Sequence, residues 1–121
     1  MNTKKQSSSP SLAGKYTVSG NYTFPPENVN LTYSGTVMIS EDPSGNYTAN
    51  WTESQSGATY KFSGNALPPN NGKITFKYTQ FAEDQTILDQ GTISYTINGS
   101  ILMGPWKGKS CGGSETLTKT D

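Results

Sequence analysis

The sequence predicts an all-β protein: eight short antiparallel strands in an up-and-down meander, closed into a small barrel. Three observations predict it. Apolar and polar residues alternate with period two between turn signals along almost the whole chain, the pattern of half-buried strands. The composition is of β type, with 16 Thr, 15 Ser, 13 Gly and 7 Tyr, while Leu, Ile, Val and Phe number only 19 of 121 residues. The connections are short and rich in turn residues, with no segment long enough for a crossover, so sequential strands pair with one another. A sheet with one apolar face must bury it, and eight strands closing on themselves leave no free edge. A β-sandwich is the alternative.

The first strand spans 14–20, with Tyr16 and Val18 on one face. The second spans 29–40 and alternates Val29, Leu31, Tyr33, Val37 and Ile39 with Asn30, Thr32, Ser34 and Thr36. Asp42-Pro43-Ser44-Gly45 is turn chemistry. The third strand sets Tyr47, Ala49 and Trp51 against Asn46, Thr48, Asn50 and Thr52. After a turn over 54–57, the fourth strand, 58–64, aligns Ala58, Tyr60 and Phe62. A Pro-Asn-Gly loop over 67–72 leads to the fifth strand, 73–81, where Ile74, Phe76 and Tyr78 oppose Lys73, Thr75 and Lys77. The segment 82–90 reads as an acidic loop. The sixth strand, 91–98, carries Ile93, Tyr95 and Ile97. Asn98-Gly99 signals a type I′ hairpin, which needs positive φ at both central residues. The seventh strand, 100–107, is interrupted by Gly104-Pro105, where a bend or an edge is expected. The eighth, 114–120, carries Leu117. One domain over 12–121 follows, preceded by a disordered leader over 1–11.

Composition excludes several chemistries. The chain has no His and no Arg. Ser–His and Cys–His pairs are therefore absent, as is the commonest metal ligand. Nine Lys balance nine acids with no basic stripe, so no nucleic-acid partner is expected. The single Cys, Cys111, forms no internal disulfide or zinc cluster and sits in a Ser-Cys-Gly-Gly turn. No intact signal peptide and no membrane span are read, so the protein is expected to be soluble, either cytoplasmic or secreted with its signal removed. Five Asn-X-Ser/Thr sites occur, at Asn21, Asn30, Asn46, Asn50 and Asn98. Composition alone gives about 2.6, so the count does not establish a glycoprotein.

Two short stretches resemble a known family. Gly14-Lys15-Tyr16 is similar to the Gly-X-Trp opening of the calycin barrels (lipocalins, fatty-acid-binding proteins, avidins), with Tyr for Trp. The run Gly113-Ser-Glu115-Thr-Leu117-Thr-Lys119 resembles the closing strand of an avidin-like barrel. The departures are plain. Only Trp51 and Trp106 are present where avidins have a Trp-rich pocket, and the Cys pairs and closing Arg of many lipocalins are missing. The resemblance implies the architecture and carries no binding residue across.

Sixteen side chains share the inward phase: Tyr16, Val18, Leu31, Tyr33, Val37, Ile39, Tyr47, Trp51, Tyr60, Phe62, Ile74, Phe76, Tyr78, Ile93, Tyr95 and Ile97. Six are Tyr and one is Trp, and each buried polar edge needs a partner. Two readings follow. Either the hydroxyls reach the barrel mouths or backbone carbonyls and plug the interior, or a cavity lies between the rings. The cavity reading gives a non-enzymatic binding protein for a small, partly apolar ligand, lined by Tyr33, Tyr47, Trp51, Tyr60, Phe76, Tyr78 and Tyr95. The alternative is a plugged barrel that binds a protein or glycan through its loops or outer strand faces. A carboxylate-only enzyme is a third reading. No catalytic residue, metal ligand or cofactor is assigned. Glu53 follows Trp51 in phase near a strand end and is expected to be a solvated terminus or a mouth carboxylate. Glu115 shares the phase of Leu117 and is placed to hydrogen-bond inward at a barrel end. Glu83, Asp84 and Asp89 lack the spacing of a calcium loop and are expected to be solvated.

Overall fold

A computed structural model describes residues 11–24, 29–109 and 111–120. Eight strands follow in order: β1 (Gly14–Phe24), β2 (Val29–Glu41), β3 (Tyr47–Gln55), β4 (Ala58–Ala66), β5 (Lys73–Phe81), β6 (Ile87–Asn98), β7 (Ile101–Lys107) and β8 (Gly112–Lys119). Each pairs antiparallel with its neighbours in sequence, and β8 pairs back onto β1, so the sheet closes into a barrel. The meander and its closure are those the sequence predicts, and the sandwich alternative is excluded. Among the described residues no helix is long and apolar enough to cross a membrane.

Burial follows the period-two pattern. Along β3 every other residue from Tyr47 to Glu53 is buried, and their neighbours Thr48, Asn50, Thr52 and Ser54 are exposed. Leu102 and Leu117, on adjacent strands and in register, are fully buried at the barrel centre, whereas Met103 is 50% exposed. The Thr- and Asn-rich faces carry the exposed positions, which is why so few large aliphatic residues suffice for a one-layer shell.

Several local expectations are corrected. β1 runs four residues past Gly20, because a strand glycine here is a point of close approach and not a terminator. The acidic segment is a shorter turn: the Ala82 amide donates to the Thr86 carbonyl, the Gln85 amide donates to the Ala82 carbonyl, and β6 already begins at Ile87. Asp89 therefore lies on a strand. Type I′ geometry is found at Ser56-Gly57 and at Asn71-Gly72, where both central residues have positive φ. At the β6–β7 hairpin Asn98 pairs with Ile101, so Gly99 and Ser100 are the central residues. Only Gly99 has positive φ (63°), which is the II′ requirement rather than I′. Pro105 does not create an edge: β7 pairs on both sides, and the ladder to β6 merely lapses opposite Ser94 and Tyr95. Proline lacks the donor that would continue it. Of the expected leader, residues 1–10 lie outside the described residues. Ser11 is described, and its hydroxyl donates to Glu41.

The two faces differ in what a truncation costs. Leu102→Ala removes a fully buried side chain and is expected to cost about 2–5 kcal/mol in urea unfolding. Met103→Ala, one residue along on the outer face, is expected to stay within about 0.5 kcal/mol. Equal effects at the two positions would contradict the assigned faces.

Candidate functional site

The barrel interior is divided into two halves that differ in chemistry. One half, towards the β2–β3, β4–β5 and β6–β7 turns, is packed solid. Leu12 enters it and is buried with Tyr16, Ile39, Tyr47, Ala49, Ala66 and Ile74. Its polar edges are satisfied locally: the Tyr16 hydroxyl donates to the Leu12 carbonyl at 2.7 Å. The Leu12 amide donates to the Tyr47 hydroxyl at 3.1 Å, and that hydroxyl donates to Glu41 at 3.1 Å. The plugged reading of the interior describes this half.

The other half holds a cavity of about 430 Å³. Its walls are aromatic. Neighbouring ring centroids run Tyr33–Tyr22 at 6.1 Å, Tyr22–Trp106 at 6.4 Å, Trp106–Tyr78 at 6.5 Å and Tyr78–Phe62 at 5.9 Å, all tilted or edge-to-face. Each strand from β1 to β5 and β7 contributes one or more of the lining rings. Leu88 also lines the cavity and is 55% exposed, so the cavity reaches solvent on that side.

At the base lie two carboxyl groups that the sequence suggested for strand ends. Glu115 is only 4% exposed and Glu53 only 8%. The expected solvated terminus at Glu53 is thus corrected: inward phase continues to the end of β3, and the barrel wall extends past it. Glu115 is a hub. It accepts from the Tyr33 hydroxyl at 2.9 Å, from the Trp51 indole N–H at 3.2 Å and from the Tyr95 hydroxyl. Glu53 shares a further hydrogen bond with it. Burial, and then the neighbouring Glu115, push the Glu53 carboxyl up to about 9, so it is protonated at neutral pH. Burial pushes Glu115 up as well, while hydrogen bonds from Tyr95, Tyr33, Glu53 and Trp51 favour its ionised form. In the bond between them Glu53 is thus the donor and Glu115 the acceptor. Burial, and then Glu115, also raise Tyr33 and Tyr95, so both remain neutral donors.

A glycine makes the hub reachable. Gly20 on β1 stands opposite Tyr33 on one side and Glu115 on the other. A Cβ at Gly20 would collide with the Tyr33 ring, which lies across β1 to reach β8. At Gly64 and Gly91 a Cβ would first meet a backbone carbonyl, of Lys77 and of Lys107, with Trp51 and the Tyr78 hydroxyl next.

Of the residues expected to line a cavity, the structure places Tyr33, Trp51, Tyr60 and Tyr78 on its wall. Phe76 and Tyr95 are fully buried beside Trp51, with edge-to-face contacts of 5.7 Å (Trp51–Phe76) and 6.0 Å (Phe76–Tyr95). Tyr47 lies in the packed half. Sequence reasoning left out Tyr22 and Trp106; it placed Glu115 to hydrogen-bond inward, as found, but counted neither carboxyl among the lining residues. Tyr22 continues the phase of Tyr16 and Val18 through Gly20, and Trp106 that of Leu102 through Gly104, so period two carried through the glycines would have found both. Cys111 also lines the cavity, its thiol raised by burial and then by Asp89, which keeps it protonated. Asp89 accepts from the Lys109 amide at 2.9 Å. Among the described residues no group of three or more His, Cys, Asp or Glu side chains is placed to hold a metal ion.

No protein-family model and no curated protein sequence matches the chain. Solved structures do match in fold. A redesigned β-barrel, mFAP1, bound to DFHBI, superposes with a TM-score of 0.71 at 13% identity, covering 89% of this chain and 94% of that one. A second, de novo designed fluorescence-activating β-barrel superposes with a TM-score of 0.62, also at 13% identity, covering 89% and 93%. At that identity the likeness is one of fold.

Two outcomes test the site's geometry. Gly20→Ala forces the Tyr33 ring off its bond to Glu115 and is expected to destabilise the protein by about 1–3 kcal/mol in urea unfolding. An unchanged midpoint would contradict the close approach. Glu53 titrates near 4.5 when unfolded and about 9 when folded. Between those values the folded chain holds more protons, so stability falls as pH rises, by up to about 1.4 kcal/mol per pH unit. Glu53→Gln is expected to flatten that slope. A wild-type stability that rises across the window would contradict the assigned burial.

Proposed function

We propose that the protein is a non-enzymatic small-ligand-binding barrel of the calycin type. The ring-walled cavity carries this reading. Its volume of about 430 Å³ falls in the range of small-molecule sites, roughly 300–1,000 Å³. Its make-up also fits: broad apolar and aromatic walls with a few convergent polar groups. The binding energy would come mainly from apolar surface removed from water between Tyr22, Phe62, Tyr78 and Trp106. Glu53, Tyr60 and Gln55 offer the polar contacts that fix orientation. That the similar barrel mFAP1 is bound to DFHBI supports the reading, since a barrel of this plan has room for a ligand.

The carboxyl pair favours binding over hydrolysis. Glycosidase carboxyls stand about 5–10 Å apart across the bond they cleave. Glu53 and Glu115 instead share a hydrogen bond, closer than that spacing.

Phenylnaphthylamine, a neutral and largely apolar dye that brightens in dry surroundings, tests the proposal. Titration is expected to give saturable fluorescence at one dye per chain. Leu88→Trp, at the exposed rim, is expected to weaken it by about tenfold, or ~1.4 kcal/mol. Absence of saturable binding, or tight binding indifferent to the rim substitution, would count against the cavity as the site.

A further inference from the structure

The charged groups around the cavity are unbalanced, and the imbalance selects a ligand class. This inference rests on the cavity being the ligand site and names what fills it. Three acids line it, Glu53, Asp89 and Glu115, against one cation, Lys109. Lys109 is exposed, and its backbone amide is already held by Asp89. The two glutamates face the interior with no Arg or Lys beside them.

Their hydrogen bonding is unequal. Both oxygens of Glu115 are occupied by Tyr33, Tyr95 and Trp51. Glu53 is 8% exposed, and among the described residues its hydrogen-bond partner is Glu115. A carboxyl can make about four such bonds, so Glu53 presents unused acceptor capacity to the cavity from a buried position. Buried polar groups in this state are completed by a ligand or by water. The rest of the wall offers faces and edges of Tyr22, Tyr33, Tyr60, Phe62, Tyr78 and Trp106. Such rings attract cations through their negative faces, and the attraction grows as water is removed.

We propose that the cavity takes an organic ammonium ion, a protonated amine on an apolar or aromatic body, with its nitrogen against Glu53 and its body between the rings. The amine supplies N–H donors to the unused oxygen of Glu53 and positive charge to a pair of buried carboxyls with no cation beside them. A neutral alcohol supplies one donor and no charge. A carboxylate brings a third acid to the two buried carboxyls, has no N–H to give Glu53 and meets no cation beside them, and is rejected.

The arrangement also couples binding to protons. The groups facing the pair are Tyr22 from β1, Tyr33 from β2, Tyr60 from β4, Tyr78 from β5 and Tyr95 and Asp89 from β6. Lys109 and Cys111 face it from the β7–β8 connection. Burial pushes the Tyr33, Tyr78 and Tyr95 hydroxyls and the Cys111 thiol up, so these stay neutral donors. Glu53 is then the group that titrates: an ammonium displaces its proton to solvent, so amine affinity rises as pH approaches about 9.

Isothermal titration with three matched probes tests this: naphthylethylamine, naphthylethanol and naphthylacetate. At neutral pH the amine is expected to bind at least about tenfold tighter than the alcohol, with no measurable binding of the acid. Amine affinity is expected to rise several-fold from about pH 6 to about pH 9, with the alcohol flat. In Glu53→Gln, checked for folding by its thermal transition, the preference for amine is expected to stop rising with pH. The wild-type profile alone decides the matter if that variant does not fold. Alcohol binding as tight as amine, or a flat amine profile, overturns the ammonium assignment and leaves the cavity reading standing. Failure of all three probes and of phenylnaphthylamine overturns both.

Discussion

A carboxylate inside a β-barrel costs several kcal/mol of lost hydration unless donors surround it. Glu115 is a carboxyl buried in this way, and this chain has no Arg or His to set beside it. It is satisfied instead by neutral donors drawn from distant strands: Tyr33 on β2, Trp51 on β3 and Tyr95 on β6. The remaining donor is the proton of Glu53. Each contact spans a large separation in sequence, so the hub ties β8 across the barrel to three other strands. The positions of the rings above it follow. Tyr33 must pass close over Gly20, and Trp51 must turn its N–H towards Glu115. The cavity survives because the side chains that could fill it are held by their polar ends.

The two halves of the interior solve one problem in different ways. An eight-stranded barrel is just wide enough to be filled by its own side chains or to hold one small ligand. Where Leu12 enters, the polar edges of Tyr16 and Tyr47 meet backbone or Glu41, and the space closes. Where Glu53 and Glu115 enter, hydroxyls converge on carboxyls, rings stand apart, and space remains. The acids are thus a structural cost that the fold offsets with donors and leaves accessible to a ligand.

Period two made most of this legible. Strand number and order follow from alternation between short turn segments, and the inward phase of Tyr33, Trp51, Tyr78 and Tyr95 from alternation, because a strand's side chains can only point to one face or the other. What alternation could not show was which glycines end strands and which lie within them. Gly20 reads as a stop, yet it is mid-strand because the Tyr33 ring needs the space a Cβ would take. That hid Tyr22; Trp106 lay within the expected seventh strand, but the Gly104-Pro105 interruption broke its phase with Leu102. Glu53 and Glu115 were in the right phase, but an acid on an inward face reads as a strand end until its donors are known. Those donors come from other strands, and their convergence depends on barrel closure, which local patterning does not contain. The shift of the β6–β7 turn by one residue has a smaller cause: Asn98 can serve in the ladder as well as in the turn.

The site depends on the proton that Glu53 keeps beside Glu115 in a buried carboxyl pair. The side-chain carboxyl carbons of the glutamates, followed by NMR across pH in uniformly labelled protein, report it directly. One glutamate carboxyl is expected to be still protonated at neutral pH and to titrate near 9, and its resonance is expected to be missing in Glu53→Gln. All glutamate carboxyls titrating together in the ordinary range near 4.5 would contradict the retained proton.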